Sequence, residues 1–148
     1  MNLHNLELVY IVKDGFPGYD EGEYIPLLER NIERQSALCV KYQGKIVGIL
    51  LFSVRSGCLS CMAVHPEHRR KNIGSALVTK MVSLFPDGAD IEVTTFREGD
   101  PFGDAPRAFY KQLGFTEAEL TEGHGYPSQR YIRPRGLRPH SPARDFVP

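Results

Sequence analysis

Val64–Leu77 reads VHPEHRRKNIGSAL, and the reading of the whole chain turns on it. Cys58 to Val64, leading into it, is an apolar run rich in β-formers and predicts a strand. Gly74 to Phe85, leading out of it, predicts a helix: with Ile73, the residues Leu77, Met81, Leu84 and Phe85 fall on one stripe, and Thr79, Lys80 and Ser83 fall off it. Between the two lie Arg69, Arg70, Lys71, Asn72 and Gly74. A strand that passes through cationic, turn-permissive residues into a helix start gathers unpaired backbone N–H groups at the positive end of the helix dipole. Such a point binds phosphate.

The elements on either side follow from pattern. Upstream, Ala37–Tyr42 and Lys45–Val54 flank Gln43-Gly44, a hairpin signal. Before them come a strand at Leu6–Val12, a Gly/Pro-containing loop at Asp14–Asp20, and a helix at about Tyr24–Arg34. That helix has Tyr24, Leu28 and Ile32 recurring and Pro26 in its first turn. Downstream, Pro86-Asp87-Gly88 ends the central helix and Asp90–Phe96 forms a strand, so the two strands around it should lie side by side and parallel. A loop at Arg97–Gly103 precedes a short helix, Ala105–Leu113, capped by Asp104 and ended by Gly114. Strands at Phe115–Leu120 and Gln129–Arg133 then flank a loop, Thr121–Ser128. The order β-α-β-β-β-α-β-α-β-β predicts a mixed α+β domain over residues 1–133. From Pro134 the chain turns Pro/Arg-rich, and residues 134–148 read as an irregular tail.

Composition narrows the function. The chain has 148 residues, 41% hydrophobic and 24% charged, enough for one domain with one core. Lys plus Arg and Asp plus Glu both number 18, which argues against bulk binding to nucleic acid or membrane. An oligonucleotide-binding role for the Arg-rich tail is correspondingly weak. Cys39, Cys58 and Cys61 suggest no disulfide framework and a reduced, cytoplasmic setting. Cys58-x-x-Cys61 lacks the further ligands of a zinc site, and buried structural cysteines are the better reading, so no metal is expected. No signal peptide is evident, and the longest apolar run, Ile46–Phe52, is too short to span a bilayer.

A second stretch, Asp104–Phe115, reads DAPRAFYKQLGF. Phe109 and Leu113 are four apart and should face the core together. Tyr110 lies about 100° further round the helix and should lean off that stripe.

The two stretches together resemble the signatures of the GNAT superfamily of N-acetyltransferases. Val64-x-Pro66 followed by Arg69-Arg70-Lys71-Asn72-Ile73-Gly74 is similar to its Val-x-Pro strand end and Arg/Gln-x-x-Gly-x-Gly/Ala turn, with Asn72 where Gly is usual. Asn enters positive φ at modest cost, so the turn can survive the exchange. Ala105 to Phe115 resembles Ala-x-x-Phe-Tyr-x-x-x-Gly-Phe, with Gly103 where many members carry a cofactor-contacting Asn. The resemblance implies a central, mixed, mostly antiparallel twisted sheet of about seven strands with helices on both faces. It also implies acetyl-CoA as cosubstrate. Arg69, Arg70, Lys71, Asn72, Ile73, Gly74 and Ser75 would hold its pyrophosphate. Backbone of Met62, Ala63 and Val64 would bind the pantetheine arm and supply an oxyanion N–H. Tyr110 would protonate the departing thiolate.

The expected reaction is direct attack of a primary amine on the thioester within a ternary complex, the amine belonging to a small molecule or a peptide. A lysine-like amine starts near pKa ~10.4 and must lose a proton. Glu92, alternating against Ile91 and Val93 in a strand expected to be central, is the candidate base; a solvated carboxylate at a frayed strand start is the bland alternative. Glu98, His124, His65 and His68 are weaker candidates, and a water chain is another route. The acceptor would meet Asp14–Glu23, the first helix and Thr121–Ser128. The acids Asp14, Asp20, Glu21 and Glu23 suit a cationic amine or simply a helix N-terminus. The competing class is a non-catalytic acyl-CoA-binding sensor or interaction module, and homodimerisation is left open.

Overall fold

The computed structural model describes residues 21–69, 71–123 and 125–134. The strand expected at Leu6–Val12, the loop Asp14–Asp20 and the tail from residue 135 lie outside them. Helix α1 is Glu21–Glu33, followed by β1 (Ala37–Tyr42), β2 (Lys45–Ser53), β3 (Cys58–Val64), α2 (Ile73–Leu84), β4 (Ile91–Phe96), α3 (Asp104–Gln112), β5 (Thr116–Gly123) and β6 (Tyr126–Arg133). The six described strands form one sheet in the order β1-β2-β3-β4-β6-β5, a mixed α+β fold with mostly antiparallel pairing. The seventh expected strand is the one at Leu6–Val12.

The chain divides into two compact units, residues 1–53 with 59–81, and residues 54–58 with 82–148. In the first, β1 and β2 pair antiparallel from Ala37↔Leu51 to Tyr42↔Lys45. Gln43 and Gly44 both have positive φ, 50° and 79°, the geometry of a type I′ turn whose twist matches a hairpin. Ile46 to Phe52 are all buried, so β2 is covered on both faces. Leu28, Ile46, Ile49, Leu51 and Cys61 make a common core, with Ile25 and Leu27 packed against it. Burial in that apolar setting pushes the Cys61 thiol up to about 12, while Cys39 is exposed.

Three expectations about these helices change. Helix α1 starts at Glu21, so Pro26 sits inside it rather than in its first turn. Its inward residues are Leu28 and Asn31, whereas Ile32 is 46% exposed. Asn31 can face inward because its amide donates to the Leu27 carbonyl at 2.8 Å and its side-chain oxygen accepts from Ser36 Oγ at 2.8 Å. On α2 the buried residues are Leu77, Val78 and Met81, and Leu84 is 44% exposed. The stripe therefore includes Val78 and does not reach Leu84.

In the second unit β6 pairs antiparallel with β4 on one side and β5 on the other. Cys58 pairs parallel with Glu92, and the Glu92 N–H donates to the Gly57 carbonyl at 2.8 Å. The expected loop Thr121–Ser128 is instead mostly strand. Gly123 pairs with Tyr126 across a two-residue turn in which Gly125 has φ 76°. Gly125 supplies the positive φ that a tight hairpin demands.

Candidate active site

The turn after β3 belongs wholly to the first unit. The strand end is fixed by the His65 N–H, which donates to the Val47 carbonyl of β2 at 2.7 Å. Pro66–His68 then makes one 3₁₀ turn, which was not anticipated. Its signals are Pro66 at a first helical position and the His65 side chain, which accepts from the Glu67 N–H at 3.2 Å. Arg69 returns to extended backbone and its Nε donates to the Val64 carbonyl at 3.4 Å.

Asn72 has φ 61°, so it adopts the left-handed conformation for which Gly is usual. Its carbonyl accepts the first helical bond, from the Ala76 N–H at 3.0 Å. The N–H groups of Asn72, Ile73, Gly74 and Ser75 therefore precede the helical ladder and have no acceptor within it. No acidic side chain stands in the first turn of α2. The positive end of the dipole, with these unladdered donors and no carboxylate in the first turn, is suited to an anion.

Gly48 of β2 sets the position of this helix start. A Cβ there would lie 2.7 Å from Ile73 Cγ2 and 3.2 Å from Leu77 Cδ1. Only a glycine lets the first turn of α2 approach the strand so closely. Met62, Ala63 and Val64, half-buried, complete β3 in the same unit.

The second unit holds the other two expected residues. Helix α3 begins at Asp104, so Asp104 is its first residue and not its cap; Gly103 is the cap, and its carbonyl accepts from the Arg107 N–H at 2.9 Å. A Cβ at Gly103 would lie 3.0 Å from Phe96 Cβ and 3.2 and 3.3 Å from the Arg97 and Asp100 carbonyl oxygens. The site has little room for a side chain, which accounts for Gly where an Asn is common. The helix ends in a Schellman motif: Phe115 N–H donates to Tyr110 O at 3.0 Å and Gly114 N–H to Lys111 O at 3.1 Å, with Gly114 at φ 93°.

Tyr110 is buried, 7% exposed, and its ring meets Phe115 and Phe109 edge-on at 5.5 and 5.2 Å. The inward face of α3 is Arg107 and Tyr110, one turn apart, and not Phe109 with Leu113, which are half-buried. Arg107 makes this possible. Its guanidinium donates to the Phe96 carbonyl at 2.9 Å, to Gln129 Oε1 at 2.7 Å and to the Glu117 carboxylate, and lies over the Tyr131 ring. Lys111, at 3.1 Å, and Arg107 hold the Glu117 carboxyl below the usual range. Periodicity gave no sign of Arg107; its partners come from three other segments.

Glu92 is neither frayed nor unpaired. Its carboxylate is ion-paired with Arg130, which also donates to Glu119 at 2.8 Å. Arg130, and then Glu119's own backbone N–H, hold the Glu119 carboxyl below its ordinary value. His124 and Arg70 fall outside the described residues. Among the described residues no group of His, Cys, Asp or Glu is placed to hold a metal ion, and no helix is long and apolar enough to cross a membrane.

Comparison with known proteins bears on both halves. Residues 33–117 match the family model of the acetyltransferase (GNAT) domain. The Bacillus subtilis protein YqkA, described as a UPF0157 protein, is 26% identical over 137 residues, 82% of this chain. The chain spans only 38% of that relative's length. A GNAT-family acetyltransferase from Bacillus cereus superimposes with a TM-score of 0.68 at 22% identity, over 93% of this chain and 95% of that one. Arabidopsis thaliana Naa50, solved with the bisubstrate analogue CoA-Ac-MVNAL, gives a TM-score of 0.68 at 15% identity, over 89% of this chain and 93% of that one.

Proposed function

Because the chain belongs to the GNAT family of acetyltransferases, we propose that it transfers an acetyl group from acetyl-CoA to a primary amine by direct attack in a ternary complex. The observation that carries this reading is the start of α2: Asn72 in the left-handed conformation, unladdered N–H groups through Ser75, and no carboxylate in the first turn.

In this reading the backbone of Asn72, Ile73, Gly74 and Ser75 binds the pyrophosphate, and Arg69, Arg70 and Lys71 neutralise it. Met62, Ala63 and Val64 offer backbone groups to the pantetheine arm, one N–H taking the oxyanion. Tyr110 delivers the proton that the CoA thiolate accepts as the C–S bond breaks. Glu92 takes the proton the amine sheds. Arg130 keeps Glu119 as a second partner when Glu92 becomes neutral, so proton uptake strands no guanidinium. That an analogue joining CoA to a peptide binds Naa50 supports extending the acceptor class to peptide amines.

The test is thiol release from acetyl-CoA by the full chain with a panel of small amines and short peptides. Amine-dependent release supports the reading. Tight acetyl-CoA binding without release on any amine would leave a non-catalytic acyl-CoA-binding module.

A further inference from the structure

Three rings of the second unit meet where the loop after β4 passes the β5–β6 hairpin. Phe96, the last residue of β4, stands 6.2 Å from Phe102 and 6.1 Å from Tyr126, measured between ring centroids. Phe102 is 63% exposed, and Tyr126 is half-buried. Loop and hairpin are tied together by Arg97, whose guanidinium donates to the Ser128 carbonyl at 3.0 Å and to the Thr121 carbonyl at 2.9 Å. They are tied again by Asp100. Its Oδ1 accepts from the Phe102 N–H at 2.9 Å, and its Oδ2 accepts from the Tyr126 hydroxyl at 2.7 Å.

The charge at this corner has one sign. Residues 97–104 and 121–128 hold Glu98, Asp100, Asp104 and Glu122, and Arg97 is their one Lys or Arg. The Arg97 guanidinium is taken up by the two hairpin carbonyls. Each Asp100 oxygen accepts one bond and has capacity for a second. A half-buried carboxylate beside exposed aromatic surface attracts a cation twice, through its charge and through the ring faces.

The strand register relates this corner to the proposed chemistry. Phe96 and Tyr126 fall on the sheet face that carries Glu92, Thr94 and Arg130, opposite the face on which Gln129 and Tyr131 meet Arg107 of α3. Phe96 is four residues beyond Glu92, about 13 Å along the strand. An amine that attacks a thioester must be neutral, whereas a carboxylate and aromatic faces favour the charged form. The cation held here is therefore not the attacking nitrogen but another group on the same acceptor. We propose that Asp100, Phe102 and Tyr126 seat a second ammonium group of the acceptor, and so select amines that carry one. This rests on the amine-acetylation reading above and adds to it the chemical class of the acceptor.

The experiment is thiol release by the full chain at saturating acetyl-CoA, with a linear monoamine and the α,ω-diamine of the same chain length. The wild-type chain should show a kcat/KM at least about tenfold higher for the diamine, the scale of one charge-assisted hydrogen bond. Asp100→Asn keeps the shape and removes the charge. It should shrink the ratio to within about twofold, the statistical advantage of two equivalent amines. Phe102→Ala, at an exposed position, should lower the ratio by about threefold. A wild-type ratio within about twofold, or a tenfold ratio retained in both variants, overturns the seat and leaves the acetyl-transfer reading intact. No release by the wild-type chain with any amine overturns both.

Discussion

Two helices, α2 and α3, each follow a strand and a turn, yet their starts are built to opposite ends. At α2 the first residues are Ile73, Gly74, Ser75 and Ala76, no acid is present, and Asn72 turns the chain so that four N–H groups precede the ladder. At α3 the first residue is itself an acid, Asp104, and carbonyl oxygens of Arg97 and Asp100 crowd the capping glycine. The dipole is the same in both. One start keeps its positive potential for an incoming anion. The other already carries a carboxylate, Asp104, in its first turn, and its inward face carries Arg107 and Tyr110. A helix N-terminus becomes a binding site only when its neighbours leave it unneutralised.

The largest expected effect lies on the α3 side. Tyr110→Phe should lower kcat by about 100-fold, the lower end for loss of general-acid catalysis, with little change in the KM for acetyl-CoA. Glu92→Gln should lower kcat similarly. A kcat within twofold of wild type in Glu92→Gln would leave Glu92 only its ion pair with Arg130.

A paired glycine experiment sharpens the contrast between the starts. Gly48→Ala and Gly103→Ala should each cost about 1–3 kcal/mol through overpacking, read by denaturant unfolding. Only Gly48→Ala should also weaken acetyl-CoA, since its methyl would meet Ile73 and Leu77 beside the N–H cluster. Equal weakening by both would erase the distinction.

Much of the fold was legible in local chemistry. Gln43-Gly44 announced a tight turn, the bounds of β1 and β3 followed from β-favouring runs, and Asn72 was identifiable as the residue that could replace a glycine at positive φ. What escaped was set by distant partners. Arg107 faces inward because Phe96, Glu117 and Gln129 satisfy it, and it takes the place expected of Phe109 and Leu113. Asn31 displaced Ile32 for the same reason, through Leu27 and Ser36. The β5–β6 hairpin carried a readable signal, His124-Gly125, the same X-Gly form as Gln43-Gly44, but the polar residues around it favoured a loop reading. The two motifs were visible in the sequence. The internal support of Tyr110 was not.

Smaller effects refine the picture. Asn72→Gly should tighten acetyl-CoA by about twofold to threefold, because the left-handed turn no longer carries a Cβ. Acid stability should depend on β5. The Glu117 carboxyl is depressed by Lys111 and Arg107, and that of Glu119 by Arg130. A depressed folded-state value means stability that is present above the ordinary carboxylate range and lost as pH falls through the folded value. Thermal midpoints should therefore drop below about pH 4.3. Glu117→Gln should show a shallower drop than the wild-type chain.

The start of α2, and not that of α3, is the proposed seat of the cosubstrate's pyrophosphate. Backbone amide resonances followed during titration of the full chain with acetyl-CoA test it directly. Large shifts are expected for Asn72, Ile73, Gly74 and Ser75, with Asp104 and Ala105 far less affected. Saturation with the Asn72–Ser75 amides unmoved would contradict it.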